Sequence, residues 1–292
     1  MAFILLTIFF ITCIGIVFKL FPKYEINAFQ AIVFNYAVCV IMAWIHSGTF
    51  PMNSTNIAAP WFPYAVGLSF CFIIGFYLQS VIFEFFGIAV ASIVLKLSVV
   101  LTAIFSIIYY AEGLPWSKVI GLILAVCAIV LVSYPQKGSL FESDKIKTKH
   151  WVILLVSYLI AAAVDSGFIF IERSISTKTA DPQFIGTATG MAFIWGVCRE
   201  IYRISIGQTQ FEIKNLIGGV ALGIVNYLTF WGMMRSIGTD IDSSIVFTMI
   251  NIGVILIAAL LGILFFKEKL AKVNIIGVVI ALVAVVLIAN VL

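Results

Sequence analysis

Charge is the scarcest ingredient of this sequence. Asp, Glu, Lys and Arg make up 10% of its 292 residues, against about 25% in a soluble domain, which excludes an ordinary soluble fold. Histidine is nearly absent, with only His46 and His150. The five cysteines (Cys13, Cys39, Cys71, Cys127, Cys198) form no CxxC pair. A zinc site therefore has no ligand set, and the cysteines read as small core hydrophobes. There is no GxxxxGK[ST] loop to cradle ATP phosphates, no HExxH, no paired carboxylates in a loop and no nucleophile motif. These absences argue against an enzyme and against an ATP-driven pump, and no cofactor is expected. The N-terminus has no basic stretch before its apolar run and no small-residue cleavage site, so it reads as a retained membrane helix. The net charge of +4 calls for no nucleic-acid partner. The cations sit mostly in connections, where membrane orientation accounts for them.

What is present is apolar. Hydrophobic residues reach 63%, and a membrane helix needs about 20 of them in a row. Runs bounded by charge, Pro or Gly predict ten helices over 2–19, 27–46, 61–83, 87–110, 117–134, 151–171, 183–199, 214–235, 243–266 and 272–291. Helices are the default because open sheet edges cannot face lipid. The seventh is the weakest, being short and glycine-containing. Trp61, Trp116 and Trp151 stand at helix starts, as interfacial aromatics do.

The polar stretch "PQKGSLFESDKIKTKH" (135–150) divides the chain into 1–134 and 151–292. A shift of 156 lays "YYAEGLPWSKVIGLILAVCAIVL" on "FFKEKLAKVNIIGVVIALVAVVL", pairing Glu112 with Glu268, Gly121 with Gly277 and Ala125 with Ala281. Each half then holds five helices. An odd number inserts the second copy from the opposite side, giving an inverted repeat, a frequent mark of a transporter.

The ten helices and the motifs "AEGL…IGLILAVCAIVL" and "KEKL…IGVVIALVAVVL" resemble the drug/metabolite transporter superfamily, EamA-like family. The resemblance implies export or exchange of small polar metabolites across the cytoplasmic membrane of a prokaryote, through a central cavity lined by both halves. The sequence departs from the family's common pattern: "CIG" replaces Trp–Gly in the first helix, Asn35 replaces an arginine in the second, and the fourth and ninth helices lack proline.

Odd-numbered connections carry twelve Lys or Arg and even-numbered ones four. Positive-inside bias therefore places the odd connections in the cytoplasm and both termini outside.

Ionisable residues inside a span cost about 2.5–3.5 kcal/mol each on insertion scales and mark a pathway or site. Two stand out, Lys96 in "SIVLKLSV" and Asp165 in "AAAVDSGF"; Glu84 lies at the end of the third span. Counted from the odd side, Lys96 and Asn35 lie in one layer, with Asp165, Asn226 and Asn251 roughly 9 Å deeper. A lysine reaches across much of that gap, so all five have access to one cavity, joined by Tyr227 with its hydroxyl and ring. The candidate substrate-binding residues are Lys96, Asp165, Asn35, Asn226, Tyr227 and Asn251. Structural alternatives stand beside this reading: Lys96 snorkelling, a purely structural Lys96–Asp165 pair, and asparagines that bond neighbouring helices. Glu112 and Glu268 precede helices, where a carboxylate favours the helix dipole. The spacings Gly121–Ala125, Gly277–Ala281, Gly219–Gly223 and Gly186–Gly190 signal close packing within one chain or across a homodimer.

The sequence therefore predicts an all-α polytopic membrane protein that acts as a secondary transporter by alternating access. Its partners are a small polar metabolite and the bilayer, with proton coupling open. A passive channel, a lipid-carrier flippase and, further off, a polytopic membrane enzyme are the alternatives.

Overall fold

The computed structural model describes residues 2–111, 113, 115–132, 147–175, 181–237, 243–267 and 270–288. All regular structure among them is helical, and it runs α1 (Ala2–Leu20), a 3-10 turn (Pro22–Tyr24), α2 (Ala28–Ser47), α3 (Ser54–Ile57), α4 (Phe62–Lys96), α5 (Val99–Tyr110), α6 (Trp116–Val132), α7 (Thr148–Ser174), α8 (Pro182–Ser205), α9 (Ile213–Ile237), α10 (Ser243–Leu264) and α11 (Lys272–Ile288). Glu112 and Glu268, the two helix-start carboxylates, lie outside the described residues.

Five helical stretches are long and apolar enough to cross a membrane: Ala2–Tyr24, Ala28–Ser47, Phe62–Tyr110, Thr148–Ile171 and Ile213–Met233. Shorter apolar helices cover Trp116–Val132, Met249–Leu264 and Lys272–Ile288. Phe62–Tyr110 has 49 residues. Drawn out as one helix it would be about 74 Å long, more than twice a hydrocarbon core of about 30 Å. It is divided. Gly87 has φ 80° and ψ 172°, a backbone conformation that only glycine enters without strain.

Two expectations need correction. The fourth span, drawn as one helix over 87–110, tightens into a turn at Leu97 and Ser98, where both residues keep right-handed helical backbone angles and Leu97 N bonds Ile93 O while Ser98 N bonds Leu95 O. No Gly or Pro marks this turn, so nothing in local propensity announces it. The seventh span is not short. It runs 24 residues, starting with Asp181 accepting from Gln183 N and Pro182 in the first turn, as helix starts prefer. Its final turns carry Arg199, Glu200 and Arg203, which ended the apolar run without ending the helix.

α6 crosses α11 closely. A Cβ added at Gly121 would lie 2.9 Å from Ile288 N and 2.9 Å from Leu287 Cβ; one added at Gly277 would lie 2.8 Å from Val132 N and 3.0 Å from Leu131 Cβ. The two contacts are the same contact exchanged between helices, since each residue of one set maps on the other by 156 positions. Asn274, fully buried, locks the crossing by donating to Leu131 O (3.1 Å) and Val132 O (2.9 Å). Gly219 and Gly223 press α9 onto the α2 backbone at Ala31 and Asn35, and Gly186 and Gly190 press α8 onto Pro51, Ala43 and Met52. These small-residue spacings are thus used inside the chain.

Candidate functional site

The turn between α4 and α5 sits where charge is found. Lys96 is the last residue of α4, and Ser98 precedes the first residue of α5. Ser98 Oγ donates to Asp165 Oδ2 of α7 over 3.1 Å. Lys96 and Asp165 act on each other electrostatically, yet their charged atoms are more than 4.0 Å apart. Among the described residues Lys96 makes no hydrogen bond or ion pair.

Direction matters as much as depth. Asp165 is accessible, but not on the outer side of its helix. The exposed stripe of α7 runs through Val152, Leu155, Val156 and Leu159; at about 100° per residue, Asp165 lies roughly 80° round from Leu155 and roughly 120–180° from the others. It shares its face with the buried Leu154. Asn251 of α10 repeats this placement, lying roughly 120–180° from the exposed Leu256, Leu260 and Ile263 and on the side of Val254, Ile255 and Ala258. Asn251 is half-buried and makes no hydrogen bond among the described residues.

The other candidates form a separate seam. Asn226 Nδ2 donates to Asn35 Oδ1 over 3.1 Å, and Cys39 Sγ lies 3.6 Å from Asn226 Nδ2. Asn35 is fully buried and Asn226 nearly so. The two were expected in layers about 9 Å apart, and they meet directly. The cause is the starting line of the count: Asn215 near the start of α9 accepts from Asn27 N at the start of α2 over 2.8 Å. From that shared level the residues differ by only three positions, about 4.5 Å of rise. Tyr227 is also buried, and its hydroxyl meets His46 Nδ1 at 2.8 Å. The same crossing in the other half is aromatic: Trp195 stacks on Phe70 with centroids 4.4 Å apart and donates to Ser69 Oγ over 3.1 Å. Positions 39 and 195, and 70 and 226, are again 156 apart.

Two polar features escaped the sequence reading. Gln30 Nε2 donates to Glu200 Oε2 (3.2 Å), Asn215 Nδ2 donates to Gln30 Oε1 (2.7 Å), and Arg199 Nη1 donates to Glu200 Oε1 (2.9 Å). This cluster ties α2 to α8 and α9. It was hidden because its members lie near predicted helix ends, where polarity is ordinary. The Tyr36 hydroxyl is buried with no hydrogen-bond partner, and an aromatic in an apolar run gives no signal of that. Among the described residues no cluster of His, Cys, Asp or Glu is arranged to hold a metal.

The long apolar helices define a multi-pass membrane protein. Residues 1–134 match the model of the EamA-like transporter family, as the motifs implied. Over that length the chain is similar to a family of membrane transporters of small solutes. An uncharacterized protein of Haemophilus influenzae is 25% identical over 292 aligned positions, which cover 95% of each chain. A solved crystal structure has the same fold, with a TM-score of 0.59 at 14% identity over 99% of this chain and 98% of that one.

Proposed function

We propose that the protein is a secondary transporter that moves a small polar metabolite, zwitterionic or anionic, across the cytoplasmic membrane by alternating access. One observation carries the reading: two ionisable residues of apolar helices, Lys96 and Asp165, lie near each other beside the α4–α5 turn, with Asp165 held by Ser98 and without pairing directly. Ionisable groups inside an apolar span mark a pathway or site. In this reading Lys96 holds a carboxylate or phosphate of the solute. Asp165, oriented by Ser98, holds an amine or carries a coupling proton, and Asn251 completes the wall from α10. Asn35, Asn226 and Tyr227 set the position of the α2–α9 wall.

The scaffold for this mechanism is ten spans in two inverted five-helix repeats, 1–134 and 151–292, joined by the polar linker 135–150. Support comes from the division of Phe62–Tyr110 at Gly87 and from the exchanged glycine contacts of α6 and α11. The charge bias places the odd connections in the cytoplasm and the termini outside. A homodimer, if formed, uses faces other than the small-residue spacings already packed within the chain.

The test is thermal stabilisation of the purified protein across a library of metabolites, repeated with Lys96→Ala and Asp165→Asn. The reading expects a stabilising ligand that both variants lose. A ligand that stabilises both as well as the parent overturns the site, and flux without saturation or counterflow in liposomes favours a channel.

A further inference from the structure

A second polar feature lies away from this site, at the odd-connection end of the bundle. A cavity of about 340 Å³ is walled by Phe18, Phe29, Tyr77, Ser80, Glu84 and Arg203 among others. Its floor is aromatic: Phe29 meets Tyr77 edge-on with centroids 5.7 Å apart, and Arg199 caps the other face of this group, 3.7 Å from the Phe29 centroid. Ser80 is already satisfied by Tyr77 O over 2.7 Å.

The two charges of the cavity are not satisfied. Arg203 comes from the last turn of α8 and Glu84 from α4, and neither side chain makes a hydrogen bond or ion pair among the described residues, although the Lys19 ammonium lies beside Glu84, bonding Phe83 O and Glu84 O over 3.3 and 3.4 Å. They do not bond each other, although both line one hollow. A half-buried guanidinium and a carboxylate held apart in this way invite a ligand that carries both opposite charges.

The opening tells what kind of ligand. Phe70, Ile74 and Tyr77 are exposed on α4, at 43%, 48% and 39%, and Glu84 continues the same stripe at helical spacing. Phe70 also stacks on Trp195 of α8 and Tyr77 meets Phe29 of α2, so the stripe is an exposed apolar edge beside those helices, and it leads into the cavity at the level where α1 and α8 end. The occupant is therefore approached from the bilayer, with an apolar track along α4 and charges at headgroup depth.

We infer that this cavity binds the headgroup of an aminophospholipid: Arg203 takes the phosphate, Glu84 the primary ammonium, and an acyl chain follows the Phe70–Ile74–Tyr77 stripe. The inference rests on the membrane placement alone and not on the Lys96–Asp165 reading.

The test is native mass spectrometry of the delipidated full-length protein, with phosphatidylethanolamine, phosphatidylglycerol and phosphatidylcholine of identical chains. Phosphatidylethanolamine is expected to bind about tenfold more tightly than either other lipid, the change one well-placed charged contact produces. Glu84→Gln is expected to bring it down to the phosphatidylglycerol level, and Arg203→Gln to weaken both. Should Arg203→Gln fail to fold, Arg203→Lys keeps the charge but loses the planar fork and is expected to weaken both lipids as well. Equal binding of the three lipids by the parent overturns the inference, as does an unchanged preference in the variants. So does competition by free phosphoethanolamine as effective as the whole lipid. Stabilisation by a transported solute is expected to be the same in Glu84→Gln as in the parent, which separates this result from the fate of the transport site.

Discussion

Ser98 donates its hydroxyl proton to Asp165 across 3.1 Å, joining the start of α5 to the middle of α7. The bond orients the carboxylate at the turn between α4 and α5, within one helical turn of Lys96. Removing it with Ser98→Ala is expected to lower transport kcat/KM by about 10- to 100-fold, since hydrogen bonds to charged groups contribute about 1.5–3 kcal/mol. Ser98→Thr keeps the hydroxyl and is expected to retain most of the activity. Counterflow in liposomes reads both, with equal yield and melting temperature as the check on folding.

Lys96 and Asp165 form no direct ion pair, so they are expected to be weakly coupled in stability. A double-mutant cycle with Lys96→Met and Asp165→Asn is expected to give an interaction below about 1 kcal/mol, whereas removing one partner of a directly paired buried ion pair costs about 3–5 kcal/mol. Detergent-solubilised protein unfolded by denaturant is the assay. A double variant markedly more stable than the sum of its parts would show that the two charges depend on each other.

The exchanged contacts at the α6–α11 crossing predict equal penalties at two distant positions. Gly121→Ala and Gly277→Ala each force a methyl against backbone nitrogen at 2.9 and 2.8 Å, and each is expected to cost about 1–3 kcal/mol by overpacking. A large inequality between them in thermal unfolding would contradict the symmetry of the crossing.

The unpartnered hydroxyl of Tyr36 is a stability cost inside the bundle, about 1–3 kcal/mol for a buried polar group without a bond. Tyr36→Phe is expected to raise the unfolding free energy, the reverse of the usual effect of a core substitution. A loss of stability would mean that the hydroxyl has a partner in the folded protein.

Much of the fold was legible because a bilayer allows few solutions. Most helix positions followed from apolar run length, and the shift of 156 paired the residues that meet across α6 and α11 without saying that those two helices pack on each other. Lys96 and Asp165 were legible because ionised groups in an apolar run are rare and costly. The turn at Leu97–Ser98 was not, because no Gly or Pro marks it. Asn35 and Asn226 looked like members of the same cavity as Lys96, but a depth count along separate helices cannot tell which two will meet.

By itself, then, the sequence determined that this chain is a helical membrane protein with two charges inside apolar runs. Those properties depend on composition and period, which are local. Only the tertiary structure decided that Asp165 and Asn251 turn inward, that Asn226 closes on Asn35, and that Glu84 and Arg203 share one hollow. These depend on helix rotation and on relative helix level. Both are set by glycine contacts and polar clasps between segments far apart in the chain, such as Gly223 on Asn35 and Asn215 on Asn27.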